Sequence, residues 1–281
     1  MEISSANSQA LFSSYAIQSA NAAIVQASKR LSTGLRVNSA ADDPSGLVIA
    51  SNFKTNIGSY NAALTNINTG IAMNQVADKG LSSIYSTLSK MYNLAVSSYT
   101  ADSTTTSGAA LISANQSAFA AYKTELDSLA SAATFNGKAL LSTSGGLSTS
   151  IQAGTSTTDT IALSYSSATS SALGVSSNSV SSSANAATAM TALTTAMNTV
   201  SGYQVVVGAQ ANILSGRADF VTSQITNNTQ AYGNIMDANM AEESANLASA
   251  TIKRDAATAM LAQANTMNAD IVKYLLKAYS G

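Results

Sequence analysis

The chain has 281 residues, a formal net charge of −1, and charged side chains at only 10% of its positions. This near-neutral balance gives no electrostatic reason to expect nucleic acid or an anionic membrane as a partner. The absence of Cys and His excludes disulfides, thiolate nucleophiles and the usual zinc sites. No run of 18 or more apolar residues is present, so no membrane span is expected. We expect no enzymatic activity and no catalytic, cofactor-binding or metal site.

The first 31 residues carry a heptad pattern. The larger residues that recur at every seventh position are Ile3, Ala10, Ile17, Ile24 and Leu31. Small residues stand three positions after the first four of them, which is typical of a coiled-coil seam with one small position. Burying an Ile contributes roughly 1.5–3 kcal/mol, whereas ordering each backbone residue costs roughly 1–2 kcal/mol. We therefore expect this helix to be loose in the monomer and to fold against partners.

A connector with helix-stop and helix-start signals follows this pattern. Gly34 fits just past the end of a helix. Asp42 or Asp43 can cap the next helix, and Pro44 suits its first turn because no amide hydrogen bond is lost there. One helix should therefore end near Thr33 and the next should begin near Asp43. The candidates for specific polar contacts, within one subunit or between subunits, are Arg36 and Asn38.

The body of the chain alternates helical and extended patterns. Apolar residues step by three and four along residues 43–98, again between Gly108 and Thr134, and along residues 186–239, which predicts three helices. The last of these can pair antiparallel with the first. Alternating apolar residues at 147–153 and 161–165 predict a β-hairpin. The Ser-rich stretch that follows is either an irregular loop or partly extended chain.

The C-terminal pattern mirrors the N-terminal one. Beyond Met240 the positions of a second seam are Ala250, Ala257, Ala264, Ile271 and Ala278, with Met260, Met267 and Tyr274 beside them. We interpret the two methionines as seam residues rather than as a flexible binding surface. The sequence thus predicts a mainly α protein: a long antiparallel helical bundle with a small β-hairpin, whose N- and C-terminal helices pair as a coiled coil.

The connector also carries a family resemblance. Residues 31–40 read LSTGLRVNSA, and together with Asp42, Asp43 and Gly46 they closely resemble the connector near the N-terminus of bacterial flagellin. Further flagellin-like motifs are TFNG at 134–137, GRADF at 216–220 and LAQAN at 261–265. The resemblance covers both ends and most of the body, and it implies a minimal flagellin without bulky outer domains.

The resemblance implies a division of the chain into segments. The expected segments are an N-terminal coiled-coil helix with its connector (1–42), the N-terminal part of a rod domain (43–141), a β-hairpin with an exposed Ser/Thr-rich segment (142–184), a long rod-domain helix (185–239) and a C-terminal coiled-coil helix (240–281).

The resemblance also implies a function. It predicts a structural subunit that is secreted and self-assembles, through the seam residues of both terminal helices, into the helical filament that serves motility. The alternative is a hook–filament junction protein of the same family. The implied partners are copies of this chain, hook-associated and cap proteins, and a flagellar export chaperone.

One departure from the family concerns host recognition. Many flagellins are recognised by an innate immune receptor through the rod domain, where the family pattern reads Leu-Gln-Arg-Val-Arg-Glu-Leu-Ala-Val. The aligned stretch here contains Lys90 and Leu94, and the Glu and Arg expected on the next helix fall at Ala118 and Tyr122. Lys and Tyr cannot replace bidentate guanidinium contacts. We therefore expect weak receptor activation.

Overall fold

The computed structural model describes the backbone of residues 2–279, and the side chains of these residues except 2–7, 271, 275 and 277–279. The chain forms two compact units, Met1–Thr55 with Asn227–Gly281 (unit 1) and Asn56–Thr226 (unit 2). The helices are α1 (Glu2–Thr33), α2 (Pro44–Thr100), α3 (Thr106–Ala132), α4 (Ser183–Met236) and α5 (Met240–Tyr279). The strands are β1 (Thr134–Phe135), β2 (Lys138–Ala139), β3 (Leu147–Gln152) and β4 (Thr160–Tyr165).

The predicted boundary between the first two helices is confirmed. α1 ends at Thr33, and Gly34 has φ +72°, in the left-handed region that favours glycine after a helix. α2 begins at Pro44. The Asp43 Oδ1 atom accepts a hydrogen bond from the backbone N–H of Gly46 at 2.9 Å, which satisfies a donor of the first turn.

Unit 2 is organised around antiparallel packing of α2 and α4. The Asn74 Nδ2 atom donates to the Val207 carbonyl at 3.4 Å, whereas Ser183, at the start of α4, donates to the Tyr99 carbonyl near the end of α2. The predicted antiparallel pairing is therefore confirmed. Fully buried side chains of this core include Ile67, Leu81, Leu88, Phe119, Leu126, Leu193 and Leu214.

The predicted β-hairpin is also confirmed. β3 pairs antiparallel with β4, from Leu147 opposite Tyr165 to Gln152 opposite Thr160. The Tyr165 hydroxyl donates to Asn74 Oδ1 at 2.6 Å in the buried core, which ties the hairpin to α2. Burial raises the pKa of Tyr165 to about 12, so this hydroxyl remains a donor.

The Ser-rich segment between β4 and α4 is less exposed than its composition suggests. Residues 166–182 form neither helix nor strand. Yet Ala168, Val175 and Val180 in this segment are fully buried and belong to the core of unit 2. A few apolar side chains thus hold a largely polar segment against the bundle.

Candidate self-assembly surface

The terminal helices α1 and α5 lie side by side in unit 1. The Arg30 guanidinium, in the last turn of α1, lies 2.8 Å from the carboxylate of Glu243, in the first turn of α5. The groove between the two helices continues toward Ala16 on one side and Met260 on the other. The helices therefore run antiparallel, and the predicted pairing of the two ends is confirmed.

Small residues form the seam between these helices. The buried side chains are Ser13, Ala20 and Ala27 on α1 and Ala250, Ala257 and Ala264 on α5. Each set repeats at seven residues, as a coiled-coil seam requires. The predicted larger positions Ala10, Ile17, Ile24 and Leu31 are partly buried at its edge. The side chains of Ile3 and Ile271 lie outside the described residues.

Within one chain, the expectation that Met260 and Met267 are seam residues is wrong, whereas the self-assembly role of both and of Tyr274 stays a prediction. Met260, Met267 and Tyr274 are exposed by 59%, 44% and 80%, so they do not pack in the seam of their own chain. The partly buried residues instead follow each small seam position by four, as at Arg254 and Leu261. Spacings of three and four both lie on one helix side, so the sequence alone could not separate them.

Both terminal helices expose large apolar side chains away from the seam. They are Leu11, Phe12, Tyr15 and Val25 on α1, and Ile252, Met260, Met267, Val272, Tyr274 and Leu276 on α5. A concentration of large exposed apolar side chains on two paired helices indicates an interaction surface. Of these residues, heptad spacing in the sequence indicates only Met260, Met267 and Tyr274.

The connector makes its polar contacts within the chain. The Arg36 Nη2 atom donates to the carbonyls of Asn234 and Ile235 at 3.2 and 2.7 Å, and its backbone N–H donates to the Met236 carbonyl. These carbonyls close the last turn of α4, where helix geometry leaves acceptors unpaired and the dipole favours a cation. Arg36 therefore caps α4. Val37 next to it is buried with Ala50 and Met236.

Asp42 closes the connector loop instead of capping α2. Its Oδ2 atom accepts hydrogen bonds from the Ser39 hydroxyl and from the backbone N–H groups of Asn38 and Ser39, at 2.9–3.0 Å. Two of these hydrogen bonds lower the Asp42 pKa most: the bond from the Ser39 hydroxyl has the larger effect, and the bond from the Asn38 backbone N–H has the next largest. The Asn38 side chain donates to the Leu35 carbonyl at 2.9 Å. The sequence allowed either Asp42 or Asp43 to cap α2, and in the structure Asp43 is the cap.

The receptor-like residues lie in unit 2. The Lys90 Nζ atom sits 5.9 Å from the centroid of the Tyr122 ring, within the range of a cation–π contact. Leu94 and Ala118 are partly buried. The fold therefore brings Lys90 and Tyr122 together across α2 and α3.

Two kinds of site are absent from the described residues. Among them, no three His, Cys, Asp or Glu side chains are grouped so that they could hold a metal ion. Within the same part of the chain, no helix has the length and apolar character needed to span a bilayer.

Family models match both ends of the chain. The model of the bacterial flagellin N-terminal helical region matches residues 4–146, and that of the C-terminal helical region matches residues 190–275. The first match alone spans just over half of the chain. Only a short central region lies between the two matches.

Individual relatives agree with these models. The chain is 28% identical to the flagellin of Listeria innocua (87% of this chain, 89% of that protein) and 27% identical to that of Bacillus subtilis (92% and 95%). It is 36% identical to the B-type flagellin of Pseudomonas aeruginosa over 52% of this chain, but spans only 29% of that protein. The crystal structure of Bacillus cereus flagellin matches with a TM-score of 0.50 and 25% identity, covering 60% of this chain and 94% of that one. The paired terminal helices, the antiparallel bundle and these matches together show that the chain belongs to the bacterial flagellin family.

Proposed function

We propose that copies of this chain polymerise through the exposed apolar faces of α1 and α5. As a flagellin with a short central region, the chain is a structural subunit of the flagellar filament, and the relatives give no support to the hook–filament junction alternative. The observation that carries the proposal is the contrast within unit 1: small residues fill the seam, and large apolar residues face outward.

The energetics of the seam support this proposal. Burying an Ala methyl contributes only about 0.8 kcal/mol, whereas ordering a residue costs roughly 1–2 kcal/mol. The α1–α5 pair alone therefore gains little from folding in a lone monomer. Burial of Phe12, Tyr15 or Met260 against neighbouring copies would add the missing apolar contribution.

The location and the other partners of the subunit follow from the proposed filament. The subunit would act outside the cell, with hook-associated and cap proteins at the ends of the filament. An export chaperone would shield the apolar faces of the terminal helices before assembly, since unshielded apolar patches promote aggregation.

Removal of either terminal helix tests the proposed polymerisation. A chain lacking residues 240–281 should form no filaments by electron microscopy after seeding, while the full chain does. The point variant Phe12→Gln should slow seeded growth at least tenfold, because it places a polar group in the proposed contact. The matched control is Leu111→Gln, an exposed apolar residue of α3. Normal growth of the truncated chain would refute the proposal.

The proposal for the immune receptor is weak activation. Lys90 already lies over the Tyr122 ring, and neither side chain offers a guanidinium fork. Purified monomer should therefore signal poorly in receptor-expressing cells. The variant Lys90→Arg combined with Ala118→Glu and Tyr122→Arg should signal more strongly. Full signalling by the unmodified chain would contradict this proposal.

A further inference from the structure

We propose that Asn136 is a site of spontaneous chemical modification, and that opening of the β1–β2 hairpin controls the rate of the reaction. The Asn136 side chain loses its amide through attack by the Gly137 backbone nitrogen, followed by uptake of water. Both residues are exposed to solvent at the tip of the hairpin. The site lies in unit 2, and its chemistry does not depend on polymerisation.

Asn136 and Gly137 form the turn between the two strands. The strand register pairs Phe135 with Lys138, so only these two residues lie in the loop. Their φ angles are +49° and +76°, and Asn136 is the one described residue other than glycine with a positive φ. Positive φ at both central positions is the requirement of a type I′ turn, and Asn-Gly is a favoured sequence for it. The turn is therefore of type I′.

The same two residues are chemically suited to cyclisation. Because Gly137 has no side chain, its backbone nitrogen can approach the Asn136 Cγ atom without a steric clash. That nitrogen loses its proton to solvent base and forms a bond with Cγ, and the side-chain nitrogen leaves as ammonia. The product is a five-membered succinimide. Water then adds to one of the two ring carbonyls and breaks its C–N bond, so the net reaction exchanges ammonia for water and yields aspartate or isoaspartate.

The closed turn holds the reacting atoms apart. A planar succinimide requires the Gly137 nitrogen to eclipse the Asn136 Cβ atom about the Cα–C bond. In a type I′ turn, ψ of the first central residue is about +30°, which places that nitrogen nearly opposite to the Cβ atom. Rotation into the reactive geometry would swing β2 away from β1 and break the pairing of Phe135 with Lys138. The reaction therefore proceeds only while the hairpin is open.

Contacts with the core of unit 2 keep the hairpin closed. The Leu140 N–H, just after β2, donates to the Ala133 carbonyl, just before β1, at 2.8 Å. The side chains of Leu140 and Leu141 are fully buried. A Cβ atom added at Gly80 of α2 would come within 2.8 Å of Leu141 Cδ1, so the segment after β2 packs closely on α2. Phe135 is partly buried against the same core. The side-chain amide at the tip is therefore protected while unit 2 is folded.

The two products have different effects on the hairpin. Aspartate at position 136 keeps the turn, because Asp-Gly also favours type I′. Isoaspartate adds the Cβ carbon to the main chain, which lengthens the loop, so the pairing of Phe135 with Lys138 cannot form with the same geometry. Isoaspartate at this position would thus be a lasting record that the hairpin had opened.

Peptide mass spectrometry tests the site directly. Trypsin releases residues 124–138, in which Asn136 is the only Asn or Gln, so a mass increase from deamidation has one possible origin. The full chain is incubated at neutral pH in buffer and in denaturing guanidinium chloride before digestion. Deamidation should be at least tenfold faster in the denaturant, because opening of the hairpin no longer has a free-energy cost. Equal rates in the two solutions, or an unmodified peptide in both, would overturn the proposal.

Two matched truncations test the control by the hairpin. Phe135→Ala removes the ring that holds the turn against the core, and it should raise the deamidation rate of the folded chain roughly threefold or more. Tyr60→Ala removes another partly buried ring of the same core, about 30 Å along α2 from Gly80. This control should leave the rate close to that of the wild type. Equal acceleration by both variants would mean that global unfolding controls the reaction, and it would overturn the role of the hairpin.

A third variant tests the identity of the modified residue. Asn136→Gly keeps a sequence that favours a type I′ turn but has no side-chain amide to lose. After incubation in denaturant, a protein-isoaspartate methyltransferase should label the 124–138 peptide of the wild type and not that of the variant. Equal labelling of the two peptides would overturn the assignment to Asn136.

Discussion

Asp42 and its hydrogen-bond donors fix the geometry of the connector between α1 and α2. Its carboxylate collects the Ser39 hydroxyl and two backbone N–H groups, and Lys29 lies 4.0 Å away. All of these contacts favour the charged form, so the pKa of Asp42 is below its ordinary value of 3.8. The stabilisation is therefore complete above that value and is lost as the pH falls through the lowered pKa.

Replacing Asp42 by Asn should make the connector less stable at neutral pH and less sensitive to acid. The amide accepts hydrogen bonds more weakly and does not titrate, so the Tm should fall at pH 7 but converge with the wild-type Tm below pH 3.8. Thermal unfolding at several pH values measures this. Asp270→Asn, at a mostly exposed carboxylate of α5, serves as the control. A constant Tm difference at every pH would argue against the assigned role.

Gly70 lies where the β3–β4 hairpin packs closely on α2. An added Cβ would overlap Ile151 Cδ1 and would come within 3.3 Å of Leu214 Cδ1. Gly70→Ala should therefore destabilise unit 2 by about 1–3 kcal/mol through overpacking, despite the helix propensity of alanine. Adding Ile151→Val removes the overlapping methyl and should restore the midpoint of denaturant unfolding. Gly58→Ala, at an open helix position, should instead be neutral or slightly stabilising.

Among the secondary-structure elements, helix α3 holds the Ser-rich segment 166–182 in place. Asp127 accepts hydrogen bonds from the backbone N–H and the hydroxyl of Ser170 at 2.7 and 2.8 Å. Lys123 donates to the carbonyls of Ser176 and Asn178, both at 3.0 Å. A third contact joins Gln116 to the Val180 N–H. The segment has no regular secondary structure to pair its backbone groups. These helix side chains satisfy some of those groups instead.

Asp127→Ala should release one end of this segment. The loss of two charge-assisted hydrogen bonds should cost about 1–3 kcal/mol and should speed proteolysis within residues 166–182. Limited proteolysis with mass spectrometry locates the cuts. Glu125→Gln, at an exposed position of the same helix, is the control. Unchanged protection of the segment would show that its apolar residues alone hold it.

Across the whole molecule, unit 1 should be less stable to local opening than unit 2. Unit 2 contains large, fully buried side chains such as Phe119 and Leu88, whereas the α1–α5 seam of unit 1 contains small ones. Local opening is easier where little apolar area is buried. In dilute monomer, amide hydrogens of α1 and α5 should therefore exchange much faster than those of residues 67–95. In filaments, exchange of α1 and α5 should slow. Equal protection in the monomer would contradict the proposed dependence on neighbouring copies.

The sequence by itself determined the helices, the hairpin and the connector boundaries. Heptad spacing, Gly34 and Pro44 are local signals that act whatever the rest of the chain does. The flagellin-like connector at residues 31–40 can also be recognised from the sequence, because recognition of a motif depends only on residue order. These features identified the chain as a flagellin before its contacts were known.

Only the tertiary structure decided which neighbours each residue meets. It turned Met260 and Met267 to solvent because four-residue rather than three-residue spacing faces α1. It directed Arg36 to the end of α4, some 200 positions away in the chain, and buried Val175 in a segment whose composition is that of a loop. Long-range packing sets such contacts. Local periodicity does not show which of several compatible faces or partners buries the most apolar surface.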